Sequence, residues 1–160
     1  MSVLWIGAAV ALFDQATKHG IRTVFPLGGG VGVIEPFFDL RYVRNTGAAW
    51  GILEGCNHWL VLVSILVLIL LARHHRSLLG DSRLSRLSLA LILGGIAGNL
   101  IDRVRLGFVV DFLDFHWNVH HFPAFNVADS AICVGVALYL LTTALGAKTS
   151  EAKSESAAST

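Results

Sequence analysis

Charge is scarce in this sequence. Asp, Glu, Lys and Arg make up 14% of its 160 residues, against roughly 25% in soluble domains. That scarcity excludes a disordered chain, a coiled coil and most water-soluble folds. The 12 basic and 11 acidic residues leave a net charge of +1, so the cationic surface used to bind nucleic acid is lacking too. Cys56 and Cys133 are the only cysteines, too few for a disulfide framework and without metal-ligand spacing. Apolar residues are what the chain has in abundance: 54% of it is hydrophobic, with a mean hydropathy of +0.67. These values point to a small, single-domain, all-α integral membrane protein.

Four stretches, about 3–20, 58–72, 84–101 and 127–145, are apolar enough to be read as transmembrane helices of one domain spanning 1–146. Each faces a hydrocarbon layer roughly 30 Å thick. The second is short and has to borrow a turn from its polar flanks. No Lys or Arg precedes the first apolar run, and Asp14 and Lys18 interrupt the place of a cleavage region. A retained helix is therefore expected there, not a removed leader. Arg73, Arg76, Arg83 and Arg86 against the single acid Asp81 mark the loop between the second and third helices as cytoplasmic. Both termini then lie in the cytoplasm, and the Ser-, Ala-, Lys- and Glu-rich stretch 147–160 reads as a disordered cytoplasmic tail.

Two outer segments remain, about 21–57 and 102–126. Phe38, Leu40 and Tyr42 alternate with Asp39 and Arg41, the pattern of a strand with one apolar face. Residues 109–117 also read as extended, so a small extracytoplasmic β-sheet at the outer surface is expected. Gly28, Gly29 and Gly30 form a turn; no Gly-Lys-Ser/Thr follows, so a phosphate-binding loop is not indicated.

With this topology the costly polar residues gather near one membrane surface. Asp14 and Lys18 are spaced i, i+4 with the acid first and can pair. Asn99, Asp102 and Arg103 share a face at the outer end of the third helix. Asn126 and Asp129 open the fourth, and Asn45 and Asp111 lie in the outer segments. Polar groups at membrane depth usually mark function. Each has a plainer reading as well: an interfacial Asp14–Lys18 pair, mutual neutralisation of Asp102 and Arg103, and a capping box of Asn126 and Asp129. Gly94 and Gly98 suit close helix approach.

No Ser or Cys sits in a frame with a partnered His, and the spacing of His116, His120 and His121 lacks a HExxH pattern. Carboxylates remain as the candidate chemistry. Two held close together cannot both ionise, so one activates water while the other protonates a carbonyl. Asp129 needs a partner from the preceding loop, and both Asp111 and Asp114 qualify by position. Strand parity sends these two to opposite faces without choosing between them.

Five stretches carry a family resemblance: Asp14-Gln15-Ala16-Thr17-Lys18, Asn45-Thr46-Gly47-Ala48-Ala49-Trp50, Gly94-Gly95-Ile96-Ala97-Gly98-Asn99-Leu100-Ile101-Asp102-Arg103, Val109-Val110-Asp111-Phe112 and Phe125-Asn126-Val127-Ala128-Asp129-Ser130. In this order the chain resembles the lipoprotein signal peptidases (signal peptidase II), bacterial membrane aspartyl proteases. The resemblance implies Asp111 and Asp129 as the catalytic pair, with support from Asn45, Asn99, Asp102, Arg103 and Asn126, and with Asp14 and Lys18 bracing the site. Trp50 departs from the family's usual Phe, and the His116–His121 stretch lies outside the motifs. The implied substrate is a diacylglyceryl-modified prolipoprotein, cut on the N-terminal side of its lipidated cysteine at the periplasmic face of the inner membrane. Membrane lipid is the other expected partner. No cofactor, metal or nucleic acid is expected, and the protein is expected to be a monomer. A non-enzymatic assembly or transport protein is the main competing reading. A presenilin-type protease is disfavoured by the absence of a Gly-x-Gly-Asp element.

Overall fold

The computed structural model describes residues 3–48, 52–78 and 82–158. Trp50 therefore lies outside the described residues. In chain order the elements are α1 (Val3–Val24), β1 (Gly30–Ile34), β2 (Phe38–Asn45), α2 (Asn57–Leu78), α3 (Arg83–Leu106), β3 (Val109–Trp117), β4 (His120–His121) and α4 (Val127–Ala158). Each helix outruns the apolar stretch that marks it, because backbone hydrogen bonding propagates beyond the residues that need lipid. Where a disordered tail is expected at 147–160, α4 stays helical to Ala158. Ala, Lys and Glu in that stretch are good helix formers, and no proline interrupts them.

Among the described residues, three helices contain a stretch long and apolar enough to cross a membrane: Asn57–His75 in α2, Arg83–Leu106 in α3 and Val127–Leu145 in α4. α1 is less apolar, with Asp14, Gln15, Lys18 and His19 in its second half. The distribution is inverted relative to a water-soluble protein. Leu4, Trp5, Leu12 and Phe13 of α1 are exposed, as are Trp59, Leu62, Leu66 and Ile69 of α2 and Val134, Leu140 and Leu141 of α4. Asp14, Lys18, Asn99, Asp102 and Asn126 are buried.

α3 is the central helix. A Cβ on Gly94 would meet the Gly7 carbonyl and Val10 of α1, and one on Gly95 would meet Ala128 and Ile132 of α4. Two faces without side chains let both neighbours approach α3 closely, as small residues do in membrane bundles. Ser88 Oγ adds a hydrogen bond to the Gly135 carbonyl (2.8 Å). α3 ends on Gly107, whose φ of 82° places it in the left-handed region while its N–H bonds to the Arg103 carbonyl. β3 starts two residues later. This stop brings the last turn of α3 against the start of β3, where Asp102 Oδ2 accepts from the Val110 N–H (3.0 Å).

The four strands form one antiparallel sheet in the order β1-β2-β3-β4. Its core face, Tyr42, Val110 and Phe112, packs on Ile21 at the end of α1. The extended segments expected around 37–45 and 109–117 are β2 and β3. β1 has no counterpart in the sequence pattern: Gly-Val-Gly-Val-Ile is exposed at every position, so it has no buried face to imprint an alternation.

Candidate active site

The start of α4 is built by the residues the sequence marks as a cap. Asp129 N–H donates to Asn126 Oδ1 (2.9 Å), and Asn126 N–H donates back to Asp129 Oδ2 (3.2 Å). This is a reciprocal capping box. It coexists with a second role, because Asp129 Oδ1 also accepts from Asn99 Nδ2 (2.7 Å).

Asp111 comes from β3. Pairing of β2 with β3 runs from Leu40↔Leu113 to Val43↔Asp111, three residues against two. The extra residue is a bulge, which bends a strand and re-aims its side chains. On the far side of the bulge, Asn45 Nδ2 donates to Asp111 Oδ2 (2.9 Å). Asn126 Nδ2 donates to Asp111 Oδ1 (2.7 Å). Asn126 thus touches both acids, one through its side chain and the other through its backbone. Asn45 Oδ1 in turn accepts from the Gly47 N–H (2.9 Å), and the Gly47 carbonyl accepts from Arg103 (3.1 Å).

Asp111 and Asp129 open on one cavity of about 680 Å³, within the usual size of small-ligand sites. Asn45, Asn99, Arg103 and Val109 line it, as do Phe122 to Phe125 and, on α4, Ser130, Ile132 and Cys133. Burial pushes the Asp111 carboxyl up to about 7, and the charge of Asp129 pushes in the same direction; the hydrogen bonds from Asn45 and Asn126 pull against both. A carboxylic acid that holds its proton up to about pH 7 beside a second carboxylate is the asymmetry that acid–base catalysis by a pair requires.

Asp14, Lys18 and Asp102 do not line the cavity; they lie behind it. Lys18 is 2% exposed, with its ammonium 2.8 Å from Asp14 and 3.1 Å from Asp102. The i, i+4 pair is therefore buried in the bundle and not an interfacial ornament. Asp102 and Arg103 do not neutralise each other: Asp102 pairs with Lys18, and Arg103 reaches the Gly47 carbonyl. Gln15, quoted in its motif without a role, donates to Asp102 (2.8 Å) and to the Gly98 carbonyl (3.1 Å).

Asp114 is absent from the cavity lining. It is buried against His121 (2.9 Å) and Arg41 (3.9 Å), so of the two candidate partners only Asp111 shares a cavity with Asp129. The rings of His116 and His121 stack at 4.9 Å, and His116 Nε2 lies 3.2 Å from Asp39 without hydrogen-bond alignment. Among the described residues no group of three or more His, Cys, Asp and Glu is arranged to hold a metal ion.

Sequence reasoning missed Asn57, whose Nδ2 donates to the Arg103 carbonyl (3.1 Å). It also missed the wall formed by residues 122–125, whose backbone pairs with β3 through Phe125 and Leu113. A lone Asn at a helix start carries no signal for the first. For the second, Phe-Pro-Ala-Phe is too short to show a period.

The family model described as signal peptidase (SPase) II matches residues 6–145. A lipoprotein signal peptidase of Syntrophotalea carbinolica is 48% identical over 142 residues, covering 87% of this chain and 88% of the relative. One from Geobacter sulfurreducens is 50% identical over 130 residues, covering 79% and 81%. A bacterial membrane enzyme solved by the in meso method at 2.3 Å resolution has a TM-score of 0.80 at 37% identity, with 93% of this chain and 90% of that one covered.

Proposed function

Because the chain belongs to the signal peptidase II family, a family of membrane proteases, we propose that it is an aspartyl endopeptidase of prolipoproteins. Its substrate is a precursor whose cysteine carries a diacylglyceryl group, cut on the N-terminal side of that residue. The observation that carries this reading is the meeting of Asp111 and Asp129 in one cavity, with Asp111 holding its proton up to about pH 7.

In the reaction, ionised Asp129 takes a proton from water as the hydroxide adds to the scissile carbonyl. Asp111 gives its proton to the carbonyl oxygen, and a tetrahedral diol forms. On collapse the C–N bond breaks, the leaving nitrogen takes the proton from Asp129, and a diol hydroxyl returns one to Asp111. Both acids end as they began. Asn45 and Asn126 hold Asp111, Asn99 holds Asp129, and Arg103 is left to orient the substrate backbone. Asn99 also lines the cavity; its carbonyl is taken by Lys18 and Asn126 and one amide N–H by Asp129, which leaves the second amide N–H for the substrate backbone.

In this reading α1 is a fourth span. Its Asp14, Gln15 and Lys18 bond to α3 and α4, and Leu4, Trp5, Leu12 and Phe13 make the exposed side apolar up to the last two turns. Both termini are cytoplasmic, and the cavity opens at the periplasmic face of the inner membrane. There a lipidated cysteine can present its peptide while its acyl chains stay in lipid. The protein acts as a monomer without cofactor or metal.

Incubation of the purified protein with a diacylglyceryl-modified precursor and an unlipidated control tests the substrate. Cleavage of the lipidated form alone is expected; equal cleavage of both, or of neither, refutes the reading. A second expectation concerns pH. Activity needs protonated Asp111, so kcat/KM of the free enzyme declines as pH rises through about 7. A flat kcat/KM profile between about pH 6 and 8.5 is incompatible with Asp111 as the acid.

A further inference from the structure

Asp111, Leu113, Phe115 and Trp117 alternate along β3 and so project from one face of the strand. Beyond the acid this is the open face: Phe115 is 45% exposed and Trp117 65%. On the opposite face Asp114 is buried and His116 nearly so. The outer half of β3 therefore covers its polar side and leaves its apolar side open. Neighbouring segments widen the row. Phe38 of β2 stacks on Phe115 (4.7 Å), and Phe125 stacks on it as well (5.7 Å). Phe37 meets Trp117 edge to face (5.2 Å). Because Phe125 also lines the cavity, the row and the cavity are continuous. Rings braced against one another in this way present a large, fixed apolar surface.

We propose, on the strength of the peptidase reading, that this row is a specificity subsite: it receives apolar side chains among roughly the first six residues that follow the lipidated cysteine. Position is the first reason. The row begins at Asp111 and joins the cavity through Phe125, so a chain lying across the two acids meets it next. Spacing is the second. Alternate residues of a strand lie roughly 6.8 Å apart, so the three steps from Asp111 to Trp117 span roughly 20 Å. An extended segment laid along β3 sets every second side chain against Leu113, Phe115 and Trp117 in turn; an acyl chain has no such period. Direction is the third. The signal peptide and the acyl chains belong to the bilayer, whereas β3 leads from the end of α3 onto the sheet, on the side where the chain after the cysteine has to leave.

The test uses the full chain and two diacylglyceryl-modified precursors with the same signal peptide and lipid. One carries Leu, Phe and Val after its cysteine; the other carries only Ser and Gly there. The parent is expected to cut the apolar precursor with kcat/KM about fivefold or more above the other, a half-open surface giving less than the tenfold or so that a closed pocket gains per methylene. In Phe115→Ala and Trp117→Ala the ratio of the two kcat/KM values is expected to fall to within about twofold of one. Trp117→Ala removes an exposed ring and spares the stack of Phe38, Phe115 and Phe125, so it decides the matter where Phe115→Ala fails to fold. No preference in the parent overturns the proposal. A preference that persists in every folded variant, with both rates falling together, also overturns it and assigns the row to membrane contact or to folding. A parent that cuts neither precursor refutes the peptidase reading instead. The row is then read by binding of the two diacylglyceryl peptides that begin at the cysteine: tighter binding of the apolar one, lost in Trp117→Ala, upholds the subsite, and equal binding overturns it.

Discussion

Asp111→Asn and Asp129→Asn are each expected to reduce cleavage of a lipidated precursor by about a thousandfold or more while the protein still inserts and melts cooperatively. The size comes from the role: losing one member of a proton-transferring pair removes a step, not a contact, and groups that act as a unit lose nearly everything together. The stability of Asp111→Asn separates chemistry from folding. Folded Asp111 keeps its proton to about 7, whereas its ordinary value is 3.8. Between those pH values the folded state binds the extra proton, so this group's contribution to stability is full below about pH 4 and falls as pH rises towards 7. An Asn at 111 does not titrate and escapes that loss. Asp111→Asn is therefore inactive yet loses less thermal stability between about pH 4 and 7 than the parent. Melting curves across that range, run beside the cleavage assay, check both halves. Retained cleavage in either variant refutes the pair.

Gly95→Ala is expected to cripple the enzyme from a position that touches no substrate. The added Cβ would meet the Ala128 carbonyl and come 2.7 Å from Ile132. Both belong to α4, and the first is backbone, so no flexible side chain can yield. Overpacking of this kind costs about 1–3 kcal/mol, read as a thermal midpoint lowered by several degrees. The shift pushes the first turn of α4 away from α3, and Asp129 sits in that turn. A displacement near about 1 Å at a reacting group costs on the order of a hundredfold in rate. The expected pattern is a modest loss of stability with a disproportionate loss of kcat. Parent-like kcat in this variant means that the contact of α3 with α4 does not position Asp129. Gly20, in α1, where an added Cβ meets nothing, is the control: Gly20→Ala is expected to keep the parent's kcat and to match or slightly raise its thermal midpoint.

Much of this arrangement is legible in the sequence, for identifiable reasons. The helices announce themselves because lipid demands long apolar stretches. β2 and β3 do so because alternation survives where one face packs on α1. The Asp14–Lys18 pair and the Asn126–Asp129 cap are local, three or four residues apart, and local spacing is what a sequence displays. Contacts across elements are not displayed. Nothing in the strand pattern separates Asp111 from Asp114; the fold does so, by giving one the cavity and the other Arg41 and His121. The bulge in β2 is equally invisible, because one extra residue leaves composition unchanged. The tie from Lys18 to Asp102 is hidden too, because it joins residues on different helices.

The inverted burial of this bundle has a thermodynamic consequence. In a water-soluble enzyme, release of water from apolar surface holds the fold together, and the active site is a costly exception within it. Here the apolar residues face outward, where lipid replaces water whether or not the helices associate. Cohesion falls to tight glycine contacts and to a polar interior in which Lys18, Asn99 and Asn126 bond across elements. Those bonds also aim the two acids. Holding the bundle together and preparing it for reaction then draw on the same bonds, so the outer surface is free to vary with the surrounding lipid while the polar interior is constrained twice over.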